Sequence, residues 1–216
     1  DSRIVDDKME GWQWHDGWDG SNPAPADAWT TLEAKRGYNF YHTEDVTVSL
    51  ASVSSLLNSL GTINLQYNGD GLNLIGNSLT CSVNWDNVST SGSMRDAIYF
   101  TKNNQMVSYV DGTGSPLGTT GIIPPLHGFF VKALDTGASI DFSGASVKTH
   151  GTVNRYKSYS IVPLIRFELG KNDIAKDETV IRFKNEATDG DDIQYDAPKI
   201  FAGSLNMDQI YTEMNG

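Results

Sequence analysis

The densest run of oxygen-bearing side chains in this sequence is Asp189-Gly190-Asp191-Asp192, with Asp196 close behind. Carboxylates gathered so closely suit Ca²⁺, a hard cation that takes six to eight oxygen ligands, although the twelve-residue spacing of an EF-hand is missing. The same four side chains, Asp189, Asp191, Asp192 and Asp196, suit turn capping better, each carboxylate accepting from nearby backbone amides while it stays in water. His15-Asp16-Gly17-Trp18-Asp19-Gly20 admits the same pair of readings. No cofactor other than Ca²⁺ is suggested anywhere in the chain.

A second chemistry is carried by indoles. Trp12, Trp14 and Trp18 fall within seven residues, and in an extended segment side chains two apart share a face, so all three rings point one way. Such a row can stack on sugar rings. It can also pin a Gly-rich segment to a sheet, because burying ~150–250 Å² of aromatic surface at ~25 cal/mol per Å² is worth a few kcal/mol per ring. Trp85, Tyr99, Phe129 and Phe130, by contrast, lie in or beside strand patterns and are expected in the core.

Catalytic motifs are missing. No nucleophile elbow, HExxH, P-loop or GxGxxG leading into a helix occurs, and the four histidines, His15, His42, His127 and His150, are scattered. With 27 acids in the chain, carboxylates near each other in sequence say nothing about a glycosidase, which needs two of them held ~5–10 Å apart across a cleft.

The elements that must position these groups read as strands. Short β-branched or aromatic runs recur in the first half at 37–42, 46–50, 63–67, 72–76, 97–101 and 106–110, and in the second at 128–133, 139–142, 152–156, 160–169, 179–184 and 199–202. Turns such as Asn68-Gly69-Asp70-Gly71 and Asp111-Gly112 separate them. The best helical stretch, Val53 to Leu60, is too short and too rich in Ser and Asn for more than a turn or two.

Wording also repeats between the halves. Gly37-Tyr38-Asn39-Phe40, Ala51-Ser52-Val53 and Gly61-Thr62-Ile63-Asn64 recur in order as Gly128-Phe129-Phe130-Val131, Ala145-Ser146-Val147 and Gly151-Thr152-Val153-Asn154, and Ala97 to Asn103 matches Thr179 to Asn185. The expectation is an all-β protein of two tandem antiparallel β-sandwich (jelly-roll-like) units made by internal duplication. Their bounds are 28–120 and 121–216, behind a Trp/Gly-rich lead-in at 1–27. Gly37 and Gly128 are expected at a bulge or a positive-φ turn in equivalent places.

Composition narrows the partners. A formal charge of −11 repels phosphate backbones and anionic lipid heads, which argues against nucleic acid and membrane surfaces. Cys81 is the single cysteine, so neither an intramolecular disulfide nor a Cys-based metal site is available. No apolar run approaches the ~18 residues of a membrane span. The chain opens DSRIVDDKMEGW, and reads as a processed chain or a piece of a longer one.

Three stretches, in order, resemble large secreted and surface-displayed proteins of Bacteroidetes-type bacteria exported by the type IX route. They are Leu72-Asn73-Leu74-Ile75-Gly76-Asn77 with Val83-Asn84-Trp85, then Ile123-Pro124-Pro125-Leu126-His127-Gly128-Phe129-Phe130-Val131, then Asp177-Glu178-Thr179-Val180-Ile181-Arg182-Phe183 with Ala187-Thr188-Asp189-Gly190 and Tyr195-Asp196-Ala197-Pro198-Lys199. The likeness runs from about Trp29 to Thr212. Ser78 departs from it, standing where that style has Pro, and the usual C-terminal sorting domain is not in this sequence. What the resemblance implies is an accessory β-sandwich region of an extracellular or cell-surface protein, with no catalytic residues to carry over. The expected role is a non-enzymatic adhesin-like or spacer module whose partner is a host or bacterial surface protein or a glycan. A carbohydrate-binding module is the alternative, and a hydrolase with a loop-assembled site the third reading.

Overall fold

The computed structural model describes residues 34–38, 57–67, 69–102, 105–149, 163–171, 174–201 and 208–213. Its strands, in chain order, are β1 (Thr62–Asn64), β2 (Leu72–Gly76), β3 (Ser82–Asn84), β4 (Ser89–Ser91), β5 (Met94–Lys102), β6 (Gln105–Val110), β7 (Thr113–Ser115), β8 (Ile122–Ile123), β9 (Gly128–Ala133), β10 (Ser139–Asp141), β11 (Lys148–Thr149), β12 (Leu164–Lys171) and β13 (Ile174–Arg182). The protein is all-β, as expected. The described helical turns are two three-residue 3-10 segments, Trp85–Asn87 and Ala145–Val147, and Leu57 to Leu60, the described end of the helical stretch, holds an isolated bridge from Leu57 to Leu79.

Among the described residues these strands form four antiparallel sheets. One has five strands in the order β2-β9-β5-β6-β7; two have three, β1-β10-β4 and β11-β3-β8; the last is the hairpin β12-β13. Alternation does the sorting. In β9, Phe129, Val131 and Ala133 are buried while the residues between them are not, so one face turns to a core and the other is left for a different partner. In β5, Met94 and Ile98 join that core, whereas Ala97 and Tyr99 join a smaller cluster on the opposite face with Val110.

The main core is continuous. Ile75, Ile98, Phe129 and Val131 from the five-stranded sheet pack with Ile140 of β10, Val83 of β3, Ile123 of β8, and Leu60 and Val147 from connecting segments. Trp85 stands edge-on to Phe129 at 6.1 Å, Phe129 in turn to Phe142 at 6.3 Å, and the Trp85 Nε1–H donates to the Asp96 carbonyl at 2.7 Å. Each buried ring adds area and an edge-to-face contact. The arrangement is sandwich-like.

Strand pairing runs straight across the boundary expected at 120/121. β9 sits between β2 and β5; β10 joins β1 to β4; β8 and β11 flank β3. Gly37 and Gly128 are not equivalent either. Gly37 approaches β2 from one edge, its N–H donating to Leu74 O at 3.0 Å, and Gly128 pairs with Gly76 on the other edge. Neither has a positive φ. Crowding explains only the first: a Cβ at Gly37 would collide with Leu74 Cγ and lie 3.0 Å from Ile75 O, whereas one at Gly128 would lie 3.4 Å from Leu74 Cδ1, an ordinary contact. The Gly-aromatic wording at these two places therefore does not mark equivalent positions in the sheet.

One polar side chain ties the loops together inside this core. Asn77, 1% exposed, points Nδ2 at the carbonyls of Cys81, Ile123 and Pro124, all at 3.0 Å, and its Oδ1 accepts from Leu79 N–H at 3.1 Å. Its backbone N–H donates to His127 O at 3.0 Å and its carbonyl accepts from Leu126 N–H at 2.8 Å. The clamp holds Leu126 in the left-handed region at φ 59° and presents that side chain 81% exposed, a conformation that costs about 1–3 kcal/mol for a non-glycine residue.

Candidate functional site

The outer face of the five-stranded sheet is covered by the acidic stretch singled out in the sequence. Arg95, on β5, is buried and reaches Asp191 with both terminal nitrogens, Nη1 to Oδ1 at 2.8 Å and Nη2 to Oδ2. Asp96 N–H donates to Ile193 O at 3.2 Å, and Ala197 and Ile200 pack on Ala97, Tyr99 and Val110. The forked hydrogen bond to Arg95 holds the Asp191 carboxyl below its ordinary range. Burial pushes the Tyr99 hydroxyl up, and neither its Oη nor Arg95 Nε finds a partner among the described residues.

The remaining aspartates fold the run on itself. Asp192 accepts from Thr188 N–H at 2.6 Å and from the Thr188 hydroxyl at 3.0 Å, Asp196 accepts from Asp192 N–H at 2.7 Å, and Asp189 is exposed. In each case a short carboxylate reaches back four residues and satisfies an amide that a tight turn leaves open. Among the described residues no group of three or more His, Cys, Asp and Glu side chains comes together to hold a metal ion. Trp12, Trp14 and Trp18, with His15, His42 and His150, lie outside the described residues. His127 is exposed on the loop that Asn77 holds.

Sequence reasoning passed over the hairpin's two buried acids. On β13, Asp177 and Glu178 point to opposite faces. Glu178, with Arg166 of β12, docks the hairpin onto β7: Glu178 pairs with Arg166 and accepts from Leu117 N–H at 3.3 Å, Arg166 Nη2 donates to Gly114 O at 3.0 Å, and the Ser115 hydroxyl donates to Glu178 O at 3.3 Å. Asp177 holds the C-terminal stretch through Lys199 and through Ile210 N–H at 2.7 Å. At the hairpin's far end Arg182 and Lys184 both meet Asp111, the latter at 2.6 Å while lying 3.8 Å over the Tyr195 ring. Only the adjacency of two acids directly before the run Thr179 to Lys184 hinted at this, since a buried acid needs a partner.

The hairpin face that bears Asp177 also carries Thr179, opposite Phe167, and is otherwise apolar and largely open. Ile165, Phe167 and Leu169 of β12 stand beside Ile181 of β13, the cross-strand partner of Ile165, with Phe183 just beyond. Phe201 and Tyr211, both more than half exposed, meet edge-to-face at 5.4 Å in the segments that Asp177 anchors. Together these rings and branched chains form the described surface best suited to contact something apolar. No helix among the described residues is long and apolar enough to cross a membrane. No family model, no curated protein and no solved structure matches the chain.

Proposed function

We propose that this chain is a non-catalytic module of a secreted or surface-displayed bacterial protein, acting as an adhesin-like contact or as a spacer. The observation that carries the reading is the use made of its acids: Asp191 and Asp177 each engage a basic side chain, Glu178 engages Arg166, and Asp192 and Asp196 cap turns. Carboxylates committed to joining segments are poorly placed to transfer protons. The extracellular assignment rests on the resemblance of the 72–85, 123–131 and 177–199 stretches to Bacteroidetes-type exported proteins. Architecturally the reading takes one sandwich-like unit with a docked hairpin, in place of two tandem jelly-roll-like units.

Carbohydrate binding is the second reading, favoured by the exposed Phe201–Tyr211 pair, since indole and phenyl faces stack on sugar rings. Two such contacts give only weak affinity, at about 1 kcal/mol each beyond burial, and a displayed module would gain the rest from multivalency. The full chain is placed on a glycan array, on immobilised host and bacterial surface proteins, and against activity-based hydrolase probes. Binding to a surface protein without probe labelling is the expected result. Glycan binding abolished by Tyr211→Ala transfers the conclusion to the second reading, and labelling by a hydrolase probe overturns both.

A further inference from the structure

The outer edge of β12 has a pattern that fits itself. Among the described residues β12 is paired on one side only, by β13. The Phe183 N–H donates to Pro163 O at 2.9 Å, which makes 163/183 a hydrogen-bonded pair. In an antiparallel ladder such pairs alternate with non-hydrogen-bonded ones, so 165/181 and 167/179 share their backbone groups with β13. Leu164, Arg166 and Glu168 therefore aim their N–H and C=O groups the other way. An edge of this length with apolar side chains is a template for another strand.

We propose that the occupant of this edge is a second copy of the same chain, with two β12 strands pairing antiparallel about a two-fold axis at Phe167. Hydrogen bonding requires the outward-aimed even-numbered residues to oppose one another, which any axis through a residue of β12 satisfies; the three central ones, which pair the most of the strand, lie at Arg166, Phe167 and Glu168. An axis at Arg166 sets Arg against Arg, and an axis at Glu168 sets Glu against Glu; like charges directly opposite are destabilising. The axis at Phe167 sets Arg166 opposite the copy's Glu168 and Glu168 opposite its Arg166, alongside the contacts each already makes within its own chain. On the other face it sets Phe167 against Phe167 and Ile165 against Leu169. Phe167 then occupies a non-hydrogen-bonded pair, where side chains come closest. Ile165 and Phe167 are 45% and 44% exposed, so both are available to flank a partner. An isologous contact of this kind closes at two copies.

The test compares two cysteine substitutions in the full chain under mild oxidation, with the association state measured by sedimentation at ~0.15 M salt, where the Debye length of about 8 Å damps repulsion between two acidic chains. Phe167→Cys puts two thiols directly across the axis, with Cβ atoms about 4.5–5.5 Å apart, within small adjustment of disulfide geometry. Ile165→Cys, equally exposed on the same face, puts its thiols four positions apart, about 13 Å at ~3.3 Å per residue. The unsubstituted chain is expected to dimerise reversibly in the micromolar range, Phe167→Cys to cross-link and Ile165→Cys not to. Glu168→Arg is expected to weaken the dimer about tenfold or more by placing Arg opposite Arg. A chain that stays monomeric, or equal cross-linking at both positions, overturns the proposal and leaves the edge to a different partner.

Discussion

Replacing Asn77 should show how much of the fold hangs on one amide. Its side chain makes one bond as acceptor, from Leu79 N–H, and distributes two N–H groups over the carbonyls of Cys81, Ile123 and Pro124. Removing it in Asn77→Ala forfeits the equivalent of three buried hydrogen bonds, at ~1 kcal/mol net each, and strands groups whose desolvation costs ~1–3 kcal/mol apiece where water does not reach. A loss of about 3–5 kcal/mol follows, a large part of the 5–15 kcal/mol typical of a domain. Asn77→Asp keeps the shape but turns a donor into an acceptor facing three carbonyls. A carboxylate there is disfavoured, so its pKa in the folded state rises above its unfolded value. For an acid raised in this way, the folded state binds the extra proton. The Asp variant is therefore least impaired near and below pH 4, and its penalty grows as pH rises from the unfolded pKa through the folded one. Urea unfolding followed by far-UV circular dichroism at pH 4 and pH 7 reads both variants as shifts in midpoint at constant slope. A loss under about 1 kcal/mol for the alanine variant, or a pH-independent penalty for the aspartate, refutes the clamp.

Three further outcomes are expected. Asp191→Asn should release residues 189–200 from the sheet, seen as loss of hydrogen-exchange protection at Asp96, whose N–H donates to Ile193 O. In the unsubstituted chain the same release should come with acid, because a depressed carboxyl contributes stability that is present above its unfolded pKa and is lost as pH falls through its folded one. Glu178→Ala, which leaves Arg166 without its carboxylate and Leu117 N–H without an acceptor, should cost about 3 kcal/mol and undock the hairpin before the core melts; limited proteolysis between 163 and 182 reports it, and protection equal to the parent contradicts it. Cys81 is buried, so its thiol should react with a disulfide reagent only as fast as the chain opens in urea, and prompt reaction in buffer would place it at the surface.

Strands that pack on both sides were plain in the sequence. LNLIG and GFFVKA supply the five-stranded sheet's β2 and β9 almost to the residue, because β-branched and aromatic side chains alternate over a full strand length. β3, β4, β7, β8 and β11 are two or three residues long and include Ser-Thr-Ser and Thr-Gly-Ser; what makes them strands is the neighbour they pair with, not their own propensity. Pairing order was equally hidden. Gly37 and Gly128 open similar words but sit at opposite edges of β2, and only Gly37 is crowded enough to exclude a Cβ. For the acidic run, capping was favoured but ion binding stayed open until Arg95, ninety-six positions away, was placed against Asp191. Lys199 and Ile210 are likewise too distant in sequence from Asp177 to be read as its partners.

The insertion of β9 and β10 among earlier strands governs the order in which this protein can come into being. Leu60, Ile75 and Val83 share their cluster with Phe129, Val131 and Ile140, so the nascent chain holds a half-built core from the synthesis of Leu60 until that of Ile140. At roughly 5–20 residues per second, those 80 residues take on the order of 4–16 s. Contacts of such long separation also make for slow closure afterwards. Throughout that interval β2 and β5 present edges that later strands have yet to occupy, and a chain stopped at Thr120 would never leave that state.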